Sequence, residues 1–337
     1  MIDIKRGRYV DSIAVAWLDK VNHFFNDPSK PWIERKGRRV KFSSYKNRLK
    51  FQCLAIVSEY TTDARLRKVC IAQLQYWWRH FDDIILASPA SMAAQVKKWQ
   101  KRKDGKYRLL EALKPVLIWY YDTVSDRIGH ELVESLNIKT CPYCNRQFIY
   151  TFKGKTPDMK DRPERPELDH FYPKNTYPLY CLSFYNLIPA CHSCNHVKSE
   201  SLIGVNPYSR AFGSKFVITD KKGKNVSPSK IYKLTQKEIG LKLEGKNAEE
   251  EANSRVLGLE NVYNKHTDFV KELIDKTMAY DAHARKALVE SFQGAGLHPR
   301  QVYDFVWGRH LMDADYEDRP LSKLTKDMLD LLGIRRG

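Results

Sequence analysis

Two CxxC pairs constrain this chain more than any other feature of its sequence. They are Cys141 with Cys144 in CPYC and Cys191 with Cys194 in CHSC, with residues 145–190 between them. Four thiolates from two such pairs can surround a tetrahedral zinc ion at about 2.3 Å each. Because metal binding stabilises a segment too small to bury much apolar surface, the pairs predict a compact zinc-bound unit.

An iron–sulfur cluster or a redox dithiol is the alternative for cysteines in this pattern. Neither pair lies in the strand-to-helix context of a thioredoxin-like motif, and two pairs argue against a single redox dithiol. We therefore expect structural zinc. Of the seven cysteines, Cys53, Cys70 and Cys181 are left over, and we expect them to be small core residues.

The charge balance favours an acidic partner. The chain has 58 Lys and Arg against 40 Asp and Glu, a formal net charge of +18. Such an excess indicates nucleic acid first, with DNA favoured, and an anionic membrane surface second. Between Lys30 and Lys50 there are nine basic residues and one acid, with aromatic residues interleaved. This segment is either a solvated face or a surface that follows a phosphate backbone.

The sequence also indicates where the protein is located. No apolar run approaches the roughly 20 residues that a membrane-spanning helix needs. Acidic residues in the first 20 positions occupy the place of a signal peptide's apolar region. We therefore expect a soluble, cytoplasmic protein with no membrane partner.

Hydrophobic periodicity divides the chain into four predicted regions of an α+β, mainly helical protein. Residues 1–138 form a basic helical region, in which Pro115 indicates that one helix kinks or begins there. Residues 139–212 contain all four paired cysteines and short β-prone runs. Residues 213–246 contain the stretches KFVIT, KIYKL and LKLEG, which predict a few short strands. Residues 247–337 return to helical spacing.

The segment between and after the cysteine pairs carries a second pattern. ELDH, YNLIPAC and CNHVKSE follow one another between Glu167 and Glu200. In this order they resemble the HNH nuclease superfamily in its zinc-containing form, whose hallmark is a DH strand, an NL strand and a CNxxK helix in a ββα-metal unit. The resemblance covers Cys141 to Tyr208, about a fifth of the chain. It implies a central ββα unit held by the zinc site.

The resemblance implies a metal-dependent hydrolysis of phosphodiester bonds. His170 would be the general base, since histidine's ordinary pKa is closest to that task. Asp169 and Asn195 would hold a catalytic Mg²⁺ or Mn²⁺, because these ions prefer oxygen ligands. Helical spacing places Lys198 on the face of Asn195, where it could contact a phosphate.

Two expectations concern geometry. Side chains of adjacent strand residues face opposite ways, so Asp169 and His170 can serve one site only if the strand ends or bulges there. Pro173 is consistent with such an ending. The resemblance implies that the Asn186 amide bonds backbone and holds the loop that carries His170. The alternative for Asn186 is a local turn bond.

Three functions remain open. The leading hypothesis is an HNH endonuclease acting on DNA. The layout resembles nucleases of antiphage defence such as the Septu HNH nuclease, which works with an ATPase partner. A second hypothesis keeps the zinc fold and the basic surface but has no catalysis, as in a zinc-ribbon nucleic-acid adaptor. The third is a nuclease subunit of a larger complex that is inert alone until a partner, such as an ATPase, activates it. This chain has no GxxxxGK[ST] loop, so any nucleotide-driven control would have to come from another polypeptide.

Overall fold

The structure is a computed structural model. It describes residues 3–4, 8–23, 32–35, 38–41, 45–100, 105–152, 164–211, 213–309 and 313–334. Within them the chain is mainly helical with a few short antiparallel strands, which confirms the predicted fold class. The region boundaries given above stay predictions.

Helices dominate both ends of the chain. The first six, on the N-terminal side, are α1 (Arg8–His23), α2 (Tyr45–Tyr60), α3 (Ala64–Arg79), α4 (Phe81–Ile85), α5 (Pro89–Gln100) and α6 (Gly105–Leu136). In the middle and on the C-terminal side are α7 (His192–Lys198), α8 (Pro228–Ile231), α9 (Ala248–Val256), α10 (Leu259–Tyr263), α11 (Thr267–Ala279), α12 (Ala282–Gly294), α13 (Pro299–Trp307) and α14 (Ser322–Leu331).

Apolar residues at helical spacing form the N-terminal core. Trp17 and Val21 on α1 are both buried, as are Leu113 and Leu117 on α6, so each helix presents one apolar stripe to its neighbours. Helix α6 continues through Pro115. Of the two alternatives for Pro115, a kink or a beginning of the helix, the beginning is therefore wrong. The leftover cysteines are buried and unpaired, which confirms their expected place in the core: Cys53, Cys70 and Cys181.

In the described parts of the chain, the strands form three two-stranded antiparallel sheets: β1 (Trp32–Arg35) with β2 (Arg38–Lys41), β3 (Glu167–His170) with β4 (Leu187–Ala190), and β5 (Lys215–Thr219) with β6 (Gly240–Glu244). Two of the three stretches predicted as strands after residue 213 are β5 and β6. The third, KIYKL, is not a strand. Pro228 precedes it at the first helical position, where its fixed φ favours a helix, and α8 forms there.

The middle of the chain packs against both helical regions. Trp17 donates its indole N–H to the Leu182 carbonyl (2.9 Å), and Tyr263 donates its hydroxyl to the Cys144 carbonyl. These contacts are buried and join residues more than a hundred positions apart. The segment with the cysteine pairs is therefore held from two sides.

The basic segment between Lys30 and Lys50 lies partly outside the described residues. Its described backbone forms the β1–β2 hairpin and the start of α2. Among all the helices described, none has the length and apolar character required to cross a bilayer.

Candidate functional site

The four paired cysteines come together in one buried cluster. The sulfur atoms of Cys141, Cys144, Cys191 and Cys194 all lie within 4.8 Å of one another, and the Cys144 and Cys191 Sγ atoms are 3.9 Å apart. Four sulfurs at about 2.3 Å from a tetrahedral ion would be about 3.8 Å apart. The predicted metal-binding cluster is thus confirmed, with a geometry that could hold a metal such as zinc.

Backbone N–H groups stabilise negative charge on the cluster. Arg146 donates its N–H to the Cys144 Sγ and Cys191 donates its own to the Cys141 Sγ, both at 3.4 Å. Hydrogen bonds from the other three cysteines hold the pKa of Cys144 well below its ordinary value. Burial raises the pKa of Cys141. Four buried thiolates at this spacing repel one another, so the cluster needs a cation to ionise fully.

Asn145 fixes the first cysteine pair to the C-terminal region. Its backbone has a φ of 49°, a left-handed conformation that Asn tolerates better than most residues. Its buried amide donates to the Tyr316 carbonyl (2.8 Å) and accepts from the Lys323 N–H (3.0 Å). Sequence reasoning missed this residue, although an Asn directly after a CxxC turn is a signal for this conformation.

The elements β3, β4 and α7 follow one another as a ββα unit. The hairpin register pairs Asp169 with Ile188 and His170 with Leu187. Cys191 is the N-cap residue of α7, and Cys194 lies in its first turn. Because both cysteines belong to the cluster, a bound metal would fix α7 relative to the hairpin.

Strand β3 runs straight through the Asp169–His170 pair and ends at His170. No bulge separates the two residues, so their side chains face opposite sides of the hairpin. Glu167 and Asp169 face α7, as their contacts to Asn195 and Lys198 show. The expected strand end or bulge between Asp169 and His170 is therefore wrong, and the two side chains have different surroundings.

Asp169 lies in a buried ion pair. Its Oδ1 accepts from the Lys198 Nζ (3.1 Å) and its Oδ2 accepts from the Tyr143 hydroxyl (2.6 Å). Burial raises the pKa of Asp169, against the opposing effect of the Lys198 charge. Each carboxylate oxygen still has a further lone pair.

Lys198 has no exposed surface, and its Nζ also donates to the His170 carbonyl at 2.7 Å. We expected this ammonium to contact a phosphate. The structure instead gives it two internal partners, because the last turn of α7 is packed over β3.

Asn195 is joined to Glu167 rather than to Asp169. Its amide nitrogen donates to the Glu167 Oε2 (2.6 Å), and His192 Nδ1 lies 2.7 Å from the Glu167 Oε1. The hydrogen bond with Glu167 raises the pKa of His192. Since the Asn195 nitrogen is used, its amide oxygen is the atom left for a ligand. Sequence reasoning missed Glu167, although its position two residues before Asp169 on a strand indicates the same face.

His170 is 8% exposed and lies on the other face of the hairpin. Its Nε2 is 2.9 Å from the Cys181 carbonyl oxygen, and its ring meets that of Tyr121 edge-on at 4.4 Å. A carbonyl only accepts, so Nε2 carries the proton and Nδ1 is the basic nitrogen. No hydrogen-bond partner of Nδ1 is found in the described part of the chain. Burial lowers the pKa of His170 to about 3.

Asn186 holds the loop that follows His170. Its side-chain oxygen accepts from the Tyr172 N–H (2.7 Å), while its nitrogen donates to the carbonyls of Tyr172 (3.1 Å) and Tyr180 (2.9 Å). The residue is fully buried. These bonds cross the loop from end to end and are not a local turn bond.

Comparison with protein-family models, with curated proteins and with solved structures finds no match for this chain. A functional argument therefore depends on the residues and their geometry.

Proposed function

We propose that this protein is a zinc-containing endonuclease of the HNH type, which hydrolyses phosphodiester bonds in DNA with the help of Mg²⁺ or Mn²⁺. The observation that carries the proposal is the state of His170 at the end of the first strand of a ββα unit. Its proton is held on Nε2 by the Cys181 carbonyl, so Nδ1 has a lone pair available for a water molecule. A pKa of about 3 keeps the ring neutral at cellular pH.

The zinc assignment follows from the donor set. Four cysteine sulfurs leave no open coordination position, which is the arrangement of structural rather than catalytic zinc. The ion would hold α7, and with it Asn195, in place.

The residues assigned to the catalytic cation fit a hard ion in their chemistry. Asp169 offers carboxylate oxygens and Asn195 offers its amide oxygen, while Glu167 fixes the orientation of that amide. When bound, a divalent cation would acidify the attacking water and neutralise charge on the phosphate and the leaving oxygen, which matters because His170 is a weak base. Since Asp169 and His170 face opposite sides of the hairpin, this mechanism requires the phosphate to lie across the end of β3, where strand pairing stops at His170. Asn186 would keep the loop after His170 rigid.

The charge of the chain supports a polyanionic substrate. A net charge of +18 attracts DNA over distances set by ionic strength. We further propose, from the layout alone, a role in bacterial defence in the cytoplasm and control by an ATPase partner. Since this sequence has no GxxxxGK[ST] loop, such nucleotide-driven control would have to come from another chain.

One observation favours a second function, a non-catalytic nucleic-acid adaptor. Lys198 already neutralises Asp169 and occupies the interior next to it. If that ion pair persists with DNA bound, Asp169 offers a cation less charge than the endonuclease needs, and the protein would bind DNA without cutting it.

The test is a plasmid assay with the zinc-loaded chain and Mg²⁺ or Mn²⁺. The endonuclease proposal predicts that supercoiled DNA is nicked by the parent and left intact by His170→Ala, with zinc content and circular dichroism unchanged. His283→Ala is the matched control, because His283 is exposed on α12. Cutting by His170→Ala at the parent's rate would overturn the proposal. Binding without cutting by the parent rules out a nuclease that acts by itself and leaves the adaptor and the subunit that needs a partner.

A further inference from the structure

Three exposed aromatic side chains follow the first cysteine pair. Phe148, Tyr150 and Phe152 are 44%, 55% and 44% exposed, whereas Ile149 between the first two is 4% exposed. We call these three residues the aromatic strip. The nuclease proposal assigns them no role.

The backbone explains why the three rings share one side. Phe148 and Phe152 each form an antiparallel bridge, with Thr140 and Glu164, and the backbone is held at both ends: Ile149 donates its N–H to the Lys139 carbonyl, and Phe152 donates to the Glu164 carbonyl, both at 2.9 Å. In extended backbone, alternate side chains face the same way. Ile149 therefore faces the core and the strip faces outward.

The strip is fixed to a rigid part of the molecule. Cys141, a member of the metal cluster, donates its backbone N–H to the Gln147 carbonyl at 3.0 Å. The Phe148 and Tyr150 rings are stacked at 4.8 Å between centroids, with 18° between their planes. The Phe148–Tyr150 stack is thus already formed before any partner binds, and about half of each side chain stays exposed.

Large exposed aromatic groups close together are uncommon unless a partner covers them. The charge of the chain indicates which partner, since the sequence carries a net charge of +18. Next to the strip itself, Lys139 pairs with Asp318 (2.7 Å) and Glu164 is bridged to Phe152, so the attraction for a polyanion comes from the chain as a whole. A partner with both aromatic faces and negative charge fits such a surface.

We propose that the aromatic strip binds unpaired bases of a single-stranded nucleic acid by stacking. The choice of nucleic acid as the partner rests on the proposed function, whereas stacking is inferred from the exposed rings of the strip. Bases present flat π-faces and the sugar–phosphate chain supplies the negative charge, so one single strand matches both features. An intact duplex hides its base faces and would bind through charge alone.

The experiment compares two oligonucleotides of equal charge. Fluorescence anisotropy measures binding of labelled (dT)12 and of a 12-mer of abasic sites to the zinc-loaded full chain without Mg²⁺, so that no cleavage occurs. Stacking predicts that the parent binds (dT)12 at least about tenfold more tightly than the abasic strand, because stacked bases add affinity that abasic sites cannot supply. Equal affinity for the two oligonucleotides would overturn the inference.

The variant that tests the residues is Phe148→Ala/Tyr150→Ala/Phe152→Ala. It should lose the preference for (dT)12 and keep its affinity for the abasic strand. Phe305→Ala, which removes a ring 70% exposed on α13, is the matched control and should keep the preference. Tyr150→Phe should also keep it, while Tyr150→Leu should weaken it, because leucine is apolar but not flat. Zinc content and circular dichroism verify folding of each variant.

The outcomes separate this inference from the proposed nuclease. If the triple variant keeps the base preference, the inference fails whether or not the parent cuts DNA. If the preference depends on the strip but the parent never cuts, only the nuclease proposal fails. A change from dimer to monomer in the triple variant, with the base preference intact, would make the strip a contact between copies of this chain and overturn the inference.

Discussion

The ammonium group of Lys198 lies 3.1 Å from the Asp169 carboxylate, and neither side chain is more than 3% exposed. A buried ion pair is costly to break from one side only, since the remaining charge loses its partner. The pair also joins the end of α7 to β3, through the second bond from Lys198 to the His170 carbonyl. Together with the hydrogen bond from the Tyr143 hydroxyl to Asp169, it links the cysteine cluster to the Asp169–His170 pair.

Removing one partner of this pair should destabilise the protein strongly. We expect Lys198→Met to lower the free energy of unfolding by about 3–5 kcal/mol, because it leaves the Asp169 charge buried and uncompensated. Lys198→Met/Asp169→Asn should recover a large part of that loss, since neither buried charge remains. Urea unfolding of both variants measures the difference. If the double variant is less stable than Lys198→Met alone, the uncompensated charge of Asp169 is not the cause of the loss.

Removing the metal should unfold the segment around the cysteine cluster. Cys144→Ser lowers the affinity of the site because a serine hydroxyl is a poorer zinc ligand than a thiolate. We expect the variant to bind less than one zinc per chain and to be cleaved faster by protease between the two cysteine pairs. Cys70→Ser is the matched control, as Cys70 is buried but outside the cluster. Equal zinc content of the two variants would contradict the cluster as a metal site.

The Asn186 amide should matter for stability and for the loop after His170. Asn186→Ala removes the partner of one N–H and two carbonyl groups, each of which costs about 1–3 kcal/mol when buried and unsatisfied. We expect a loss of about 2–4 kcal/mol, together with faster hydrogen exchange in residues 171–180. Asn175→Ala serves as control because this exposed residue belongs to the same loop. An unchanged exchange rate in the Asn186 variant would show that the loop is held by other contacts.

Glu250 should make stability depend on acidity. Burial alone would raise the pKa of Glu250, but hydrogen bonds from the backbone of Lys246 and Gly213 and from the side chains of Arg210 and Ser214 outweigh it and lower the pKa to about 2. The folded pKa lies below the unfolded value, so the stabilisation is present above about pH 5 and is lost as pH falls towards 2.

Glu250→Gln tests this dependence. At pH 7 we expect a loss of about 1–3 kcal/mol, which should shrink as the pH is lowered towards 3. Glu249→Gln provides the comparison, since the Glu249 carboxylate pairs with the same Arg210 but is 65% exposed. Urea unfolding at several pH values measures both. A loss that stays constant with pH would rule out ionised Glu250 as the stabilising group.

Some features followed directly from residue spacing. The CxxC pairs predicted a four-sulfur cluster, because cysteines three apart in a tight turn or a helix present their sulfurs to one point. Apolar periodicity predicted the helical cores, such as the stripe of Trp17 and Val21. Alternation predicted β5 and β6 but failed for KIYKL, where the proline before it favoured a helical turn.

The sequence by itself therefore determined which residues meet at the metal cluster and which segments form the hairpin and helix around it. The tertiary structure decided the environment of each polar side chain. Packing of α7 over β3 buries Lys198 against Asp169, and the Cys181 carbonyl fixes the His170 tautomer from eleven residues away. The sequence could not predict the Lys198–Asp169 contact or the His170 tautomer, because both depend on which distant groups reach a buried side chain. Alternation along a strand predicts only that the side chains of Asp169 and His170 face opposite ways, not which groups surround each of them.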